Sequence, residues 1–184
     1  MKSQFSFSTL CATLLITLSV GCGKQEAPTS ATGKKPSATA AGTRPTSAVP
    51  NVKEVIEIGG ALVQTEHSAF DIGRIQDLFD KNKDSIARTQ DATTMLVDLT
   101  FPAPRKMSGL DVTTGSMNVG LKVTLTEAGK NEPTVFSKSF AQLPPDPTVT
   151  LDFGGALSVK RARIEIANLD GGDGHVHVRE VSFR

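Results

Sequence analysis

From Asn51 to the carboxy terminus, apolar and polar residues alternate with a period of two, in short bursts separated by glycine and proline. Val52 to Ile58 (VKEVIEI), Met95 to Phe101 (MLVDLTF), Val119 to Thr126 (VGLKVTLT), Val135 to Phe140, Val149 to Phe153, Val159 to Ile166 (VKRARIEI) and Val176 to Phe183 each fit a strand. Between them stand Pro102-Ala103-Pro104, Gly115, Gly129, Pro144-Pro145-Asp146-Pro147, Gly154-Gly155 and Asp170-Gly171-Gly172-Asp173-Gly174. These breakers predict loops, at intervals too short for crossover helices. Only Ile72 to Phe79 fits a helical turn, with Ile75, Leu78 and Phe79 on one side. Seven or eight strands with so little helix predict an all-β antiparallel sandwich, and no internal repeat is evident.

The first 50 residues follow a different pattern. Lys2 precedes a mostly apolar run of 12 residues, Thr9 to Val20, whereas a spanning helix needs about 20. The run closes on Leu18-Ser19-Val20-Gly21-Cys22 and resembles a bacterial lipoprotein signal. That resemblance implies removal of residues 1–21 and lipidation of Cys22 by a diacylglyceryl group on the thiol and a fatty acyl chain, such as palmitate, on the amine. The usual Leu three residues before the cysteine is Ser19 here, with Leu18 one place earlier. An ordinary secretory signal that leaves a free thiol is the alternative. Gly23 stands where an Asp would mark inner-membrane retention, so the resemblance implies the outer membrane of a bacterial envelope. Cys11 lies in the removed segment, so the folded part holds no disulfide under either reading.

Residues 22–50 are rich in Ala, Thr, Ser, Gly, Pro and Lys, with almost no large apolar side chain. Such a segment cannot bury enough surface to offset its ordering entropy, and it reads as a tether with a reach of roughly 30 Å. Residues 51–184 are the size of one domain. The whole chain has 20 Lys and Arg against 19 Asp and Glu, but five of the basic residues and one acidic residue precede Asn51, so the domain's net charge is −3. That balance gives no reason to expect a nucleic-acid partner.

Leu78-Phe79-Asp80-Lys81-Asn82-Lys83-Asp84-Ser85 resembles the early loop of discoidin domains, also called coagulation-factor C-type or galactose-binding-like domains. MLVDLTFPAPRKMSGLDV resembles the family's strand, turn and strand, and RARIEIANLD followed by HVHVREVSF resembles its closing strands. The resemblance spans nearly all of 51–184 and implies a jelly-roll sandwich of about eight strands. It also implies a structural calcium ion where the early loop meets the last strand. Carried over by position, Asp80 would give a side-chain oxygen, Asn82 a carbonyl, Ser85 a hydroxyl and carbonyl, and Glu180 the closing carboxylate. Hard cations want such oxygens. Lys81 replaces the family's turn glycine, and Asn82 replaces its second acid.

The family commonly binds sugars, on an aromatic platform, yet this chain has no Trp and no Tyr. Phe70, Phe79, Phe101, Phe136, Phe140, Phe153 and Phe183 occupy strand-like positions that suit a core. A polar site centred on Arg88 is compatible with the sequence, as is a surface salt bridge for that residue. His175 and His177 would share one face of a strand and could chelate a transition ion with Asp170, Asp173 or His67. A solvated sheet face is the plainer reading of the pair. No nucleophile elbow, paired-acid arrangement or phosphate-cradling loop occurs, so no enzyme is expected. Two functional classes follow: a lipid-anchored, non-catalytic module binding a glycan, polymer or envelope protein through its loops, or a structural subunit of an envelope assembly with no small ligand.

Overall fold

The computed structural model describes residues 52–90, 92–171 and 174–184. The signal, the linker and Cys22 therefore lie outside the described residues, as does Asp173. Nine strands form in chain order: β1 Val52–Ile58, β2 Ala61–His67, β3 Phe70–Ile72, β4 Ala87–Thr89, β5 Thr94–Thr114, β6 Val119–Glu127, β7 Thr134–Phe140, β8 Thr148–Asn168 and β9 His177–Phe183. A short 3-10 turn, Ile75–Leu78, is the one helical element among the described residues.

Every pairing is antiparallel, and the long strands β5 and β8 belong to two layers. Their near ends meet as Met95↔Ile166 to Thr100↔Arg161, and β2 and β6 extend this layer to β1 and β7. Their far ends meet as Gly109↔Asp152 to Thr113↔Thr148, and β9, β4 and β3 follow on the other side of β5. The result is a sandwich with layers β1-β2-β5-β8-β6-β7 and β3-β4-β9-β5-β8.

Pro102-Ala103-Pro104 and Gly154-Gly155, expected as loops, are instead the bends by which β5 and β8 pass between layers. Pairing lapses between Thr100 and Arg105 and again between Met107 and Gly109. Proline has no N–H to donate yet keeps the chain extended, so the strand turns without ending. The β1–β2 hairpin closes on Gly59 and Gly60, whose φ angles of 59° and 79° fit the tight turn that matches strand twist. Strand β2 escapes the alternation pattern because its core-facing positions are Val63, Thr65 and His67, all buried, while Leu62 is 68% exposed.

One apolar cluster fills the space between layers. It takes Ile56 and Val63 from the hairpin, Val97, Leu99 and Phe101 from β5, Val123 and Leu125 from β6, Ile164 and Ile166 from β8, and Val178 and Val181 from β9. Ile75, Leu78 and Phe79 of the 3-10 turn enter the same cluster, as their spacing predicts. All seven phenylalanines of the domain are in this core or packed against it. Phe183 stacks on Phe79 at 6.4 Å and meets the edge of Phe101 at 6.1 Å.

Candidate functional site

The early loop Asp80–Ser85 folds onto β9, and a bulge decides what it meets. Thr113 pairs with Glu180 and Thr114 with Val178, so Arg179 is the extra residue on β9. Arg179 uses the displacement to donate to Asp146 Oδ1 at 2.8 Å and to the Lys83 carbonyl at 3.4 Å, tying the early loop to the Pro144–Pro147 loop. Glu180 is 6% exposed, and its Oε2 has no hydrogen-bond partner. Burial pushes its carboxyl above the usual range, and the nearby Asp80 carboxylate adds to this, against the Ser182 hydroxyl, the Lys81 amide and the Lys83 ammonium.

Around Ser85 the loop is rich in oxygen, and two of its oxygens already take backbone amides: Asp80 Oδ1 from Asn82 at 2.8 Å and the Asn82 carbonyl from Ser85 at 3.3 Å. The Ser85 Oγ lies 3.0 and 3.2 Å from the two Asp80 carboxylate oxygens, 2.6 Å from the Asn82 carbonyl and 3.4 Å from the Asp77 carbonyl. A hydroxyl has one proton to give, so it can serve only one of these four oxygens at a time. Lys81 adopts a φ of 63°, the left-handed conformation that the family's glycine would take without strain. Asp80, Asn82 and Ser85 thus come together in one loop, within electrostatic reach of Glu180, and oxygen donors of this kind are those a hard cation takes.

A second group lies on the outer side of β3, β4 and β9. Arg88 pairs with His177 across β4 and β9, and with Ile72 across β4 and β3. Arg88 donates from Nε to Asp71 Oδ1 at 2.8 Å and from Nη2 to Oδ2 at 2.5 Å. This bidentate bond holds the Asp71 carboxyl below its ordinary range and raises the guanidinium. Both side chains stay about 30% exposed. The His177 imidazole is held below its ordinary value first by burial, then by the charges of Arg88 and His175. A neutral imidazole, an ionised carboxylate and a guanidinium therefore share one short row.

The two histidines do not both lie in a strand. β9 begins only at His177, and His175, in the preceding loop, has Nδ1 at 2.7 Å from the Thr89 carbonyl. That bond sets the ring's orientation through Nδ1 and does not engage Nε2. Among the described residues, no three His, Cys, Asp or Glu side chains converge as a metal cluster. Asp170 is occupied in accepting from the amides of Met117 and Asn118, at 3.0 and 2.7 Å. Asp71, which makes with Arg88 the surface salt bridge that the sequence left open for that arginine, has no local signature, because it acts through the pairing of two three-residue strands.

No protein-family model matches the chain, and no curated protein matches its sequence. Solved structures do match its fold. The chain is similar to the family 32 carbohydrate-binding module of AlyQ, solved with 4,5-unsaturated mannuronic acid, with a TM-score of 0.54, 12% identity, and coverage of 71% of this chain and 98% of that one. It is similar to the family 32 module of NanJ from C. perfringens, solved with galactose, with a TM-score of 0.53, 13% identity and coverage of 72% and 98%. It is also similar to part of a Ruminococcus gnavus family 29 fucosidase, solved with fucose, with a TM-score of 0.52, 11% identity and coverage of 66% of this chain. The chain spans 25% of that fucosidase's length. At such identities the shared property is the fold, the jelly-roll sandwich that the resemblance to discoidin domains implies, in agreement with the antiparallel sandwich read from the strand pattern.

Proposed function

We propose that this chain is a non-catalytic glycan-binding module, held at the bacterial outer membrane by lipid on Cys22. The row Asp71–Arg88–His177 carries the reading. Neighbouring sugar hydroxyls each donate and accept. Asp71 accepts, Arg88 keeps N–H groups beyond the two that hold Asp71, and a neutral His177 can do either. The absence of Trp and Tyr points to recognition by such polar groups instead of ring stacking. The sugars held by the solved modules of the same fold support the ligand class.

Calcium completes the proposal. Asp80, Asn82, Ser85 and Glu180 would hold it, and its charge would balance the buried Glu180 carboxylate and fasten the early loop to β9. Because β9 also presents His177, this would fix the backbone on which the sugar site stands. The anchoring part rests on the Leu18-to-Cys22 run and the basic, proline-containing tether that follows it.

A glycan array probed with the full chain, run beside a pull-down from envelope extract, tests the reading. Specific sugar spots that vanish in Arg88→Ala are expected. An empty array with stoichiometric capture of one envelope protein would assign the chain instead as a structural subunit.

A further inference from the structure

The outer face of the β1-β2-β5-β8-β6-β7 layer holds a groove of about 470 Å³, lined by residues of β1, β2, β5 and β8. On its floor lies Asp98, in the middle of an otherwise apolar run. β5 turns Val97 and Leu99 into the core, so Asp98 points to the opposite face. There it is 6% exposed, and its Oδ1 is buried with no hydrogen-bond partner. Arg161 and Arg163 approach its two oxygens to 3.6 and 3.7 Å, short of hydrogen bonding. An ionic group shielded this far from water is costly unless its lone pairs are met.

The surroundings say what would meet them. Across the strands run Lys53↔Glu66, Glu66↔Asp98 and Asp98↔Arg163, followed one step along by Gln64↔Thr100 and Thr100↔Arg161. Charges of both signs therefore interleave at neighbouring positions. An anion would meet Asp98 and Glu66, and a cation would meet Arg161, Arg163 and Lys53, so neither fits. Val55, 61% exposed, is the apolar side chain in the lining, which gives no anchor pocket for a protein side chain. A neutral polyhydroxylated chain suits this surface: hydroxyls donate to Asp98 and Glu66 and accept from the arginines. Four strands cover roughly 14 Å at sheet spacing, which accommodates a short oligosaccharide better than one ring.

We infer that this groove is a second glycan site, one that takes a neutral oligosaccharide with Asp98 at its floor and Arg161 at its wall. The inference extends the glycan-binding reading but stands on residues separate from Asp71, Arg88 and His177. Amide spectra of the isotope-labelled full chain, titrated with glucose, cellotriose, maltotriose and trigalacturonate, test it. At least one neutral trisaccharide is expected to shift Glu66, Asp98, Thr100 and Arg161, more tightly than glucose does. Asp98→Asn and, on the exposed wall, Arg161→Ala should each weaken binding by about ten-fold or more, while Arg88→Ala leaves it unchanged. The inference fails if no neutral trisaccharide shifts this face, if trigalacturonate alone does so, or if both groove variants bind like the parent. Shifts confined to Asp71, Arg88 and His177 would overturn the groove and leave the first site standing.

Discussion

Glu180 is the residue whose protonation carries most consequence. Its folded-state carboxyl lies above the value it has in the unfolded chain, so the folded state binds that proton more tightly. The stability this gives is fully present below the ordinary glutamate range and is lost as pH rises through the raised value. Above that raised value the ionised, half-satisfied carboxylate therefore weakens the fold, and a cation beside it would restore what is lost. Glu180→Gln keeps the shape and the bond from Ser182 while removing the charge. In chelator at pH 7 this variant should melt higher than the parent, with the gain shrinking in acid. With calcium the parent should gain melting temperature and the variant should not. A parent with identical melting curves in calcium and chelator would remove the ion from the account.

At the scale of elements, the sites depend on short pieces placed by longer ones. Gly73 follows β3, the strand that carries Asp71, with a φ of 76°, and a Cβ there would sit 2.0 Å from the Ile86 carbonyl. Gly73→Ala should thus cost more than about 1 kcal/mol, seen as a lower urea midpoint, through both the left-handed backbone and the clash. An unchanged midpoint would show that the β3 connection is slack. Long alternating runs such as VGLKVTLT and VKRARIEI are legible because their inner faces are uniformly aliphatic. β2 is not, since Thr65 and His67 face inward and Leu62 faces out. The three-residue strands β3 and β4 hold too little pattern to be read alone, and they bring Arg88 to Asp71 and His177. The early loop stands out through its resemblance, whereas the bulge at Arg179 that sets the register of Glu180 on β9 has no local signal. Asp98 did leave a signal, a carboxylate inside MLVDLTF, which gains meaning once the bends at Pro102 and Gly154 place β5 beside both β2 and β8.

For the whole molecule the account joins an anchor, a tether and a sandwich with polar sites on its outer faces. Cys22→Ser should move the chain from the membrane fraction to the aqueous fraction, and retention of the variant in the membrane would contradict the lipid anchor. The central claim, however, is that the sandwich binds sugars through Asp71, Arg88 and His177. A glycan array with the parent and Arg88→Ala side by side tests it most directly, at neutral pH and again at a pH where His177 is protonated. At neutral pH the parent should give a set of specific sugar signals that is weakened in acid, as the imidazole gains charge beside Arg88, and lost in the variant, while signals owed to the Asp98 groove persist. An empty array, or a variant whose signals match the parent's spot for spot, would contradict it.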